Sequence, residues 1–533
     1  MTQSTDSNLP SNIGLSLSGG GYRAAGFHLG LLAYLDRINL LSQVKMISTV
    51  SGGTFTGAKY ALSLVEGQKF SDFYREYYDF LQNSQLVEWA LDKLGKKESN
   101  LPSGRTDLIT AAAQVYAETF LKKADGKPYR FGEILNADIP LKEVVFNSTE
   151  FRYGIAFRFQ RSANPDALIG NGKVSISKTE AEDIRIADIV AASSCFPGGF
   201  EPLAFPRDFC WSTPKIFEQV KQTIKQKING DFSSEIALMD GGIYDNQGTH
   251  GLWLANKRNG YPLDLFVISD VDQKIEGLYE FPNSINISNL SLQWVDRISK
   301  ILVILCVLSV VTVGYEAWQD INANQFIWLD IFLYLVPSLL ATGIAILLLW
   351  GRNFIKQKIF NKIPQVGRFA WKDLKQLSVS QLANGIQLRI TSLQAMAGSV
   401  FMRRIRELGL NVIYGKYTEE NRYKIVSNFI YQLKSDRDFA RFELPEEVQH
   451  PSTQLLEIID AAVDMPTTLW FDEKNQLDNL IICGQATICC KLMVYITRKH
   501  GRDVDAFPDE VKDLWQRLLS DWNTLRSEAK VLS

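Results

Sequence analysis

Histidine is scarce in this chain of 533 residues: His28, His250, His450 and His500 are the four, and none stands in a motif that would deliver it to a nucleophile. A triad built on an imidazole is therefore a poor fit. Charge of one sign is lacking too. Lys and Arg number 57 against 59 Asp and Glu, a formal net charge of −2, and no long basic run occurs. The electrostatic footprint of a nucleic-acid binder is missing. Six cysteines (Cys195, Cys210, Cys306, Cys483, Cys489 and Cys490) are scattered with no C-x-x-C pair and partner histidines, which excludes a zinc site of ordinary spacing. The start, MTQSTDSNLP, has neither the basic nor the apolar region of a secretory signal, so the expectation is a cytoplasmic N-terminus and reduced thiols. H-x-x-E-H is absent, and Asp270/Asp272 and Asp503/Asp505 lack the further ligands of a calcium loop. The chemistry expected here needs no metal and no cofactor. Internal repeats and long low-complexity linkers are lacking as well, and a composition 46% hydrophobic and 22% charged is that of a globular protein of two or three domains.

What is present is concentrated between Gly14 and Ala58. Ile13 to Leu17 is short and apolar, Ser18 to Gly21 cannot continue a strand, and Ala24 to Ile38 has apolar residues at helical spacing. Glycines before a helix N-terminus leave backbone N–H groups unpaired where the helix dipole also favours negative charge, which makes an anion-stabilising spot. A second unit repeats the pattern. Val44 to Val50 reads as a strand, Ser51-Gly52-Gly53 as a sharp turn, and Thr54 to Val65 as a helix, so the turn pushes the Ser51 hydroxyl outward. A nucleotide loop would need G-K-S/T or G-x-G-x-x-G with a following acidic residue, and neither is found. Further on, IALMDGGIYDNQGTH (Ile236 to His250) ends a short strand in Asp240 and bends away at Gly241 and Gly242. That leaves a carboxylate at the carboxyl end of a strand, where α/β sites lie.

SGGGYR, TVSGG and DGG in this order resemble the patatin-like phospholipase family, over Gly14 to Val271. The resemblance implies a three-layer α/β fold with a mostly parallel central sheet, Ser51 as nucleophile and Asp240 as the base that takes its proton directly. Gly19, Gly20, Gly21 and Gly52 are implied as the oxyanion hole, with Arg23, Gly53, Gly241 and Gly242 in support. One departure stands out: the family elbow is usually G-x-S-x-G, and Thr49 holds the first position here. In such proteins a small-residue and proline bend, here within IADIVAASSCFPGGFEPLAF (Ile186 to Phe205), shapes the acyl pocket.

Around these motifs, residues 70–125 read as a helical insertion, packed over the sheet or serving as a lid. Leu141 to Phe146, Gly154 to Arg158 and Leu263 to Ser269 read as strands. The character changes at Ile298. Two charge-free runs, Ile301 to Tyr315 and Ile331 to Trp350, extend with their flanks to spans of about 298–318 and 329–350 and approach the roughly 20 residues that cross a bilayer. Lys and Arg flank the pair on both outer sides and not between, which places both flanks in the cytoplasm. The expected division is thus a catalytic domain over 1–290, a transmembrane hairpin over 291–360 and a mainly helical region over 361–533 that completes or caps it. Residues 371–408 are amphipathic and end in Arg403, Arg404 and Arg406, which either meet anionic headgroups or form a solvated helix end. Asn411 to Tyr414 reads as an edge strand, and Asp503 onward as a polar tail.

Together these readings predict a membrane-anchored, multi-pass serine acyl hydrolase with a cytoplasmic catalytic domain, acting on phospholipid or related lipid esters without nucleic-acid partners. An acyltransferase on the same fold and a non-catalytic membrane interaction or sensor protein are the alternatives, and the oligomeric state is left open.

Overall fold

The apolar run Ile13–Leu17 and the β-branched run Val44–Val50 form parallel strands β1 and β2 at the middle of one large sheet. The computed structural model describes residues 8–95, 107–228, 235–272, 288–323 and 376–532, with scattered positions between 277 and 286 and between 332 and 350. The other strands are β3 (Glu143–Glu150), β4 (Ile155–Arg161), β5 (Ile169–Gly170), β6 (Ser175–Ile176), β7 (Leu203–Phe205), β8 (Ile236–Asp240), β9 (Leu265–Asp270) and β10 (Ile425–Phe429). Their order is β10-β9-β1-β2-β3-β4-β5-β6, with β8 paired to β3 and β7. From β10 to β3 every pairing is parallel; from β3 outward they are antiparallel. The fold is α/β with a mostly parallel central sheet and a largely helical C-terminal part.

Two compact units make up the chain: Met1–Glu276 with Phe401–Ser533, and Gly277–Val400. In the first, helix Gly21–Arg37 packs on a core helix, Gln476–His500, that is buried along nearly its whole length. Being apolar all round, the core helix finds a place surrounded by protein. The two helices cross closely because a Cβ at Gly30 would lie 2.3 Å from Ile481 O and one at Gly484 2.3 Å from Phe27 O. The insertion helices Phe70–Asn83, Leu86–Gly95 and Leu108–Glu118 bury Phe73, Tyr77, Leu81, Ile109 and Tyr116, the pattern of a packed layer rather than a lid.

Three boundaries differ from the sequence reading. Strand β3 continues past Phe146 to Glu150, because Asn147, Ser148 and Thr149 find partners for their side chains inside the protein. Asn411 to Tyr414 is helical, the last part of helix Phe401–Lys416, and the sheet edge is β10 instead. The polar tail contains helix Asp509–Glu528, whose Trp515, Leu518, Trp522 and Leu525 recur at helical spacing and are buried.

The second unit holds helix Leu292–Asn322, capped by Ser291, with Ile301, Ile304, Leu305, Leu308 and Val311 all exposed. Its span Asp296–Asn322 has mean hydropathy 2.2 and is 17% buried, whereas the comparably apolar Gln476–His500 is 100% buried. Length and apolarity suit both helices to a bilayer; exposure separates them. The second expected span, about 329–350, lies outside the described residues apart from scattered helical positions such as Phe332, Leu340 and Trp350, which are exposed.

Candidate active site

Ser51 joins β2 to helix Gly52–Val65 at φ 49° and ψ −119°, a conformation that L-residues avoid at a cost of about 1–3 kcal/mol. Hydroxyl groups behind the turn hold it there. The Ser51 N–H donates to Ser193 Oγ at 3.0 Å, and Ser193 Oγ donates to Asn147 O at 2.7 Å. With the Ser193 proton committed, Thr54 Oγ1 is the donor in its 2.8 Å contact to Ser193, and Thr49 Oγ1 the donor in its 2.9 Å contact to Thr54. Thr49, the departure from the usual elbow, is therefore a working member of this chain. Its methyl is accommodated at Gly57, where a Cβ would lie 2.4 Å from Thr49 Cγ2.

The glycine loop abuts this elbow. A Cβ at Gly19 would come within 3.1 Å of Ser51 Cβ, and one at Gly52 would lie 2.1 Å from Gly21 O. Gly20, with φ 146°, ends the loop, and Gly21 and Gly52 are each the first residue of a helix. Among the described residues, the amides of Gly20, Gly21 and Gly52 have no acceptor. Two helix N-termini thus abut beside Ser51 with unpaired donors, an arrangement that can stabilise an oxyanion. The Gly19 amide, expected to share this task, instead donates to Asn246 O at 2.9 Å. Gly53 also donates inward, to Ser18 O at 3.1 Å, so its part is steric: a Cβ there would sit 2.4 Å from Leu17 O.

Register brings the carboxylate to the same place. Val50 pairs with Asn147 on β3, and the next β3 residue, Ser148, pairs with Asp240 on β8, so neighbouring β3 positions carry the ends of the other two strands. The bend after helix Ile186–Ser194 clamps the aspartate turn, since Asp240 N–H donates to Cys195 O at 3.1 Å and Gly241 N–H to Ser193 O at 3.2 Å. This small-residue bend therefore braces elbow and aspartate together. Burial raises the Asp240 carboxyl to about 6, against the opposing influence of the Gly242 N–H, 2.7 Å from Oδ1, and of the Ser51 hydroxyl. The Ser51 contact is looser than a hydrogen bond of standard geometry, as is common before substrate tightens a site.

The histidines stand apart. His28 is buried between Ser269 Oγ (2.9 Å) and Ser18 O (3.1 Å), and burial lowers it to about 4, so it is neutral packing behind the loop. His250 Nδ1 faces Arg158 Nη2 at 3.0 Å, and burial lowers its pKa as well.

Sequence reasoning missed Asn246 and Arg406. With its carbonyl oxygen turned to the guanidinium, Asn246 accepts from Arg406 Nη2 at 2.6 Å and Nε at 3.0 Å, while its backbone holds Gly19. Arg406 also pairs with Asp272 and, at 3.7 Å, with Asp270. Of the basic cluster, Arg403 and Arg404 point outward to Glu407, whereas Arg406 turns in. Nothing local distinguishes it; the pairing joins positions 134 residues apart. Arg23 sits behind the loop with Nη1 on Met465 O at 2.7 Å, lowered to about 10 by burial and by Arg406, and still cationic. Removing the Arg406 guanidinium leaves the buried Asp270 without a paired cation and, among the described residues, with only the Gln247 amide as donor, and half-buried Asp272 loses its partner, so Arg406→Ala should lose about 3 kcal/mol in denaturant unfolding. Arg406→Lys should recover part of it.

A strained serine on a strand-to-helix elbow, unpaired amides beside it and a buried carboxylate at a neighbouring strand end thus come together at one place in the fold. Residues 15–253 match the patatin-like phospholipase family model. No curated protein matches the chain. Two structures of human GIVD cytosolic phospholipase A2, one in complex with methyl gamma-linolenyl fluorophosphonate inhibitor and terbium chloride, are similar at 17% and 14% identity with TM-score 0.31, covering 49% of this chain and 40% and 42% of theirs. VipD from Legionella pneumophila is similar over 97% of this chain and 92% of its own, at 13% identity and TM-score 0.24. The chain thus spans about two fifths of the human phospholipase.

Proposed function

We propose that this chain is a membrane-anchored serine acyl hydrolase that cleaves acyl esters of phospholipids or related lipids with a Ser51–Asp240 dyad. The observation that carries the proposal is the strained Ser51 elbow with the free amides of Gly20, Gly21 and Gly52 beside it and the Asp240 carboxylate within reach. Asp240 accepts the Ser51 proton as Oγ bonds to the ester carbonyl carbon, and the three amides hold the resulting oxyanion. Collapse expels the alcohol, which takes the proton from Asp240. Water, losing a proton to Asp240, then attacks the acyl carbon, and collapse breaks the bond to Ser51 Oγ, which takes that proton back from Asp240 as the fatty acid leaves. Gly19, Gly53, Gly241 and Gly242 keep the two turns tight, and Arg23 backs the loop. Two spans, near 298–318 and 329–350, hold this machinery at the bilayer with catalytic unit and termini in the cytoplasm, in an arrangement supported by the exposed, charge-free run Ile301 to Tyr315 and by Arg297 and Lys300 just before it on the same helix. Incubation with mixed phospholipid vesicles tests the reading: free fatty acid and lysophospholipid in equal amounts are expected, and acyl transfer to added alcohols without fatty acid release would establish the transferase instead.

The base must be ionised, and burial puts its pKa near 6. The logarithm of kcat/KM should then rise with slope one up to about pH 6 and level above it. A profile whose acid limb bends near 4 would mean that Asp240 is not the titrating base.

A further inference from the structure

Between the sheet edge at β10 and the C-terminal half of the core helix Gln476–His500 lies a cavity of about 230 Å³. Its lining includes Lys491, Arg498, Tyr423, Tyr495 and the hydrogen-bonded pair Tyr414 and Ser427, and no carboxylate. None of these residues belongs to the Ser51–Asp240 site.

Lys491 is the informative group. It is 8% exposed, and among the described residues its ammonium has no hydrogen-bond acceptor and no carboxylate within ion-pair reach. Its recognisable partner is the Phe442 ring, 4.6 Å from Nζ. A cation–π contact offsets part of the cost of burying an ammonium and does not replace an anion. The neighbouring ionisable groups make matters worse or contribute nothing at neutral pH: Arg498 repels, and burial pushes the Cys490 thiol up to about 12. Burial lowers Lys491 to about 8, so it remains largely charged at neutral pH. Two further cations lie over tyrosine rings of this wall, Lys424 at 5.9 Å from Tyr423 and Lys499 at 6.0 Å from Tyr495. The residues at 491, 494, 495 and 498 share one face of the helix, so the cations and the Tyr495 ring are presented together.

An anion rich in acceptor oxygens matches this set. The volume is below the roughly 300–1,000 Å³ of pockets for drug-sized ligands, so the occupant is small or enters by one end. We propose that the cavity binds a phosphate-type anion, either a soluble phosphate or the phosphomonoester headgroup of a lipid, with Lys491 and Arg498 supplying the charge and further hydroxyl donation coming from the Tyr423 and Tyr495 side and from whichever proton of the hydrogen-bonded Tyr414–Ser427 pair is left over. Lysine here acts as a point charge for a tetrahedral anion, while the arginine contributes planar donors.

Thermal unfolding of the full-length protein in neutral detergent tests this, with inorganic phosphate, glycerol 3-phosphate or short-chain phosphatidic acid titrated against chloride at matched ionic strength. A saturable rise of the midpoint is expected with at least one of the three. Lys491→Met and Arg498→Gln should each raise the half-saturating concentration by about tenfold or more, the size of a charge-assisted hydrogen bond. Saturation by phosphatidic acid alone assigns the site to a lipid headgroup, and equal responses to the two soluble phosphates assign it to a free anion. If burial makes Lys491→Met unstable, Arg498→Gln on the exposed last turn carries the comparison. No saturable shift with any of the probes, or a shift that the folded variants leave unchanged, would overturn the proposal.

Discussion

Asp240→Asn and Ser51→Ala are expected to lower hydrolysis of a dispersed short-chain ester at least about a thousandfold, the usual loss when a nucleophile or its base is removed. Neither should weaken the fold. The Asp240 carboxyl is raised from 3.8 to about 6 by burial, so its neutral form is the one the folded state prefers. For a carboxyl raised on folding, the favourable contribution is present below pH 4 and lost as pH rises through 6. At pH 7.5 the ionised group therefore works against folding by an amount on the order of 2–3 kcal/mol, and asparagine removes that cost. Asp240→Asn should melt above the wild type at pH 7.5, and the gap should shrink toward pH 5. Ser51→Ala keeps the positive φ and should melt near the wild type, whereas Ser51→Gly should melt higher because glycine adopts that backbone freely. An inactive variant that melts well below the wild type would point to unfolding instead of lost chemistry.

The second large effect concerns the bilayer. Full-length protein should resist extraction by high salt and by carbonate. Arg at Leu305, in the middle of an exposed apolar helix, costs about 2.5–3.5 kcal/mol on the insertion scale, and a second at Leu340 doubles the burden. The double variant should move in large part to the soluble or aggregated fraction. A cysteine introduced at Asn324, in the connection between the two runs, should react with impermeant reagent from the side opposite the catalytic unit. Deleting Ile298 to Arg352 across a short Gly/Ser linker should leave an enzyme active on dispersed ester and weak on vesicles, since surface concentration is what has been removed. Carbonate-extractable wild type would return the helix to the protein interior.

How much of this could be read in advance follows from how local each feature is. Strand β2 was legible to the residue and the turn at Ser51 nearly so, the helix starting at Gly52 instead of Thr54, because a β-branched run and paired glycines act within a few positions. β8 ending at Asp240 was legible for the same reason. The Gly19 amide was not: which amides of a glycine loop remain free depends on Asn246 O, far along the chain. The elbow's hydroxyl support was hidden in the same way, since Ser193 looks like any serine in a small-residue bend until it meets the Ser51 N–H. Thr49 departs from the usual glycine of the elbow, and space for its methyl comes from Gly57, the sixth residue of the helix that follows. Asn411 to Tyr414 has a strand-like composition, yet packing fixes it as helix, with Ile413 buried in a satellite core beside Phe266 and Ile268, and the edge strand is β10 further on. Arg406 belonged to a cluster that reads as surface charge, and its inward turn depends on Asp270 and Asp272 being at the end of β9.

The most direct test of the central claim is the stoichiometry and position of covalent modification by an alkyl fluorophosphonate, read by mass spectrometry of the intact protein and its peptides. One adduct per chain on Ser51 is expected, with labelling that slows below pH 6 as Asp240 protonates and that is lost in both Ser51→Ala and Asp240→Asn. Labelling on another residue, or unchanged labelling in Ser51→Ala, would contradict the account.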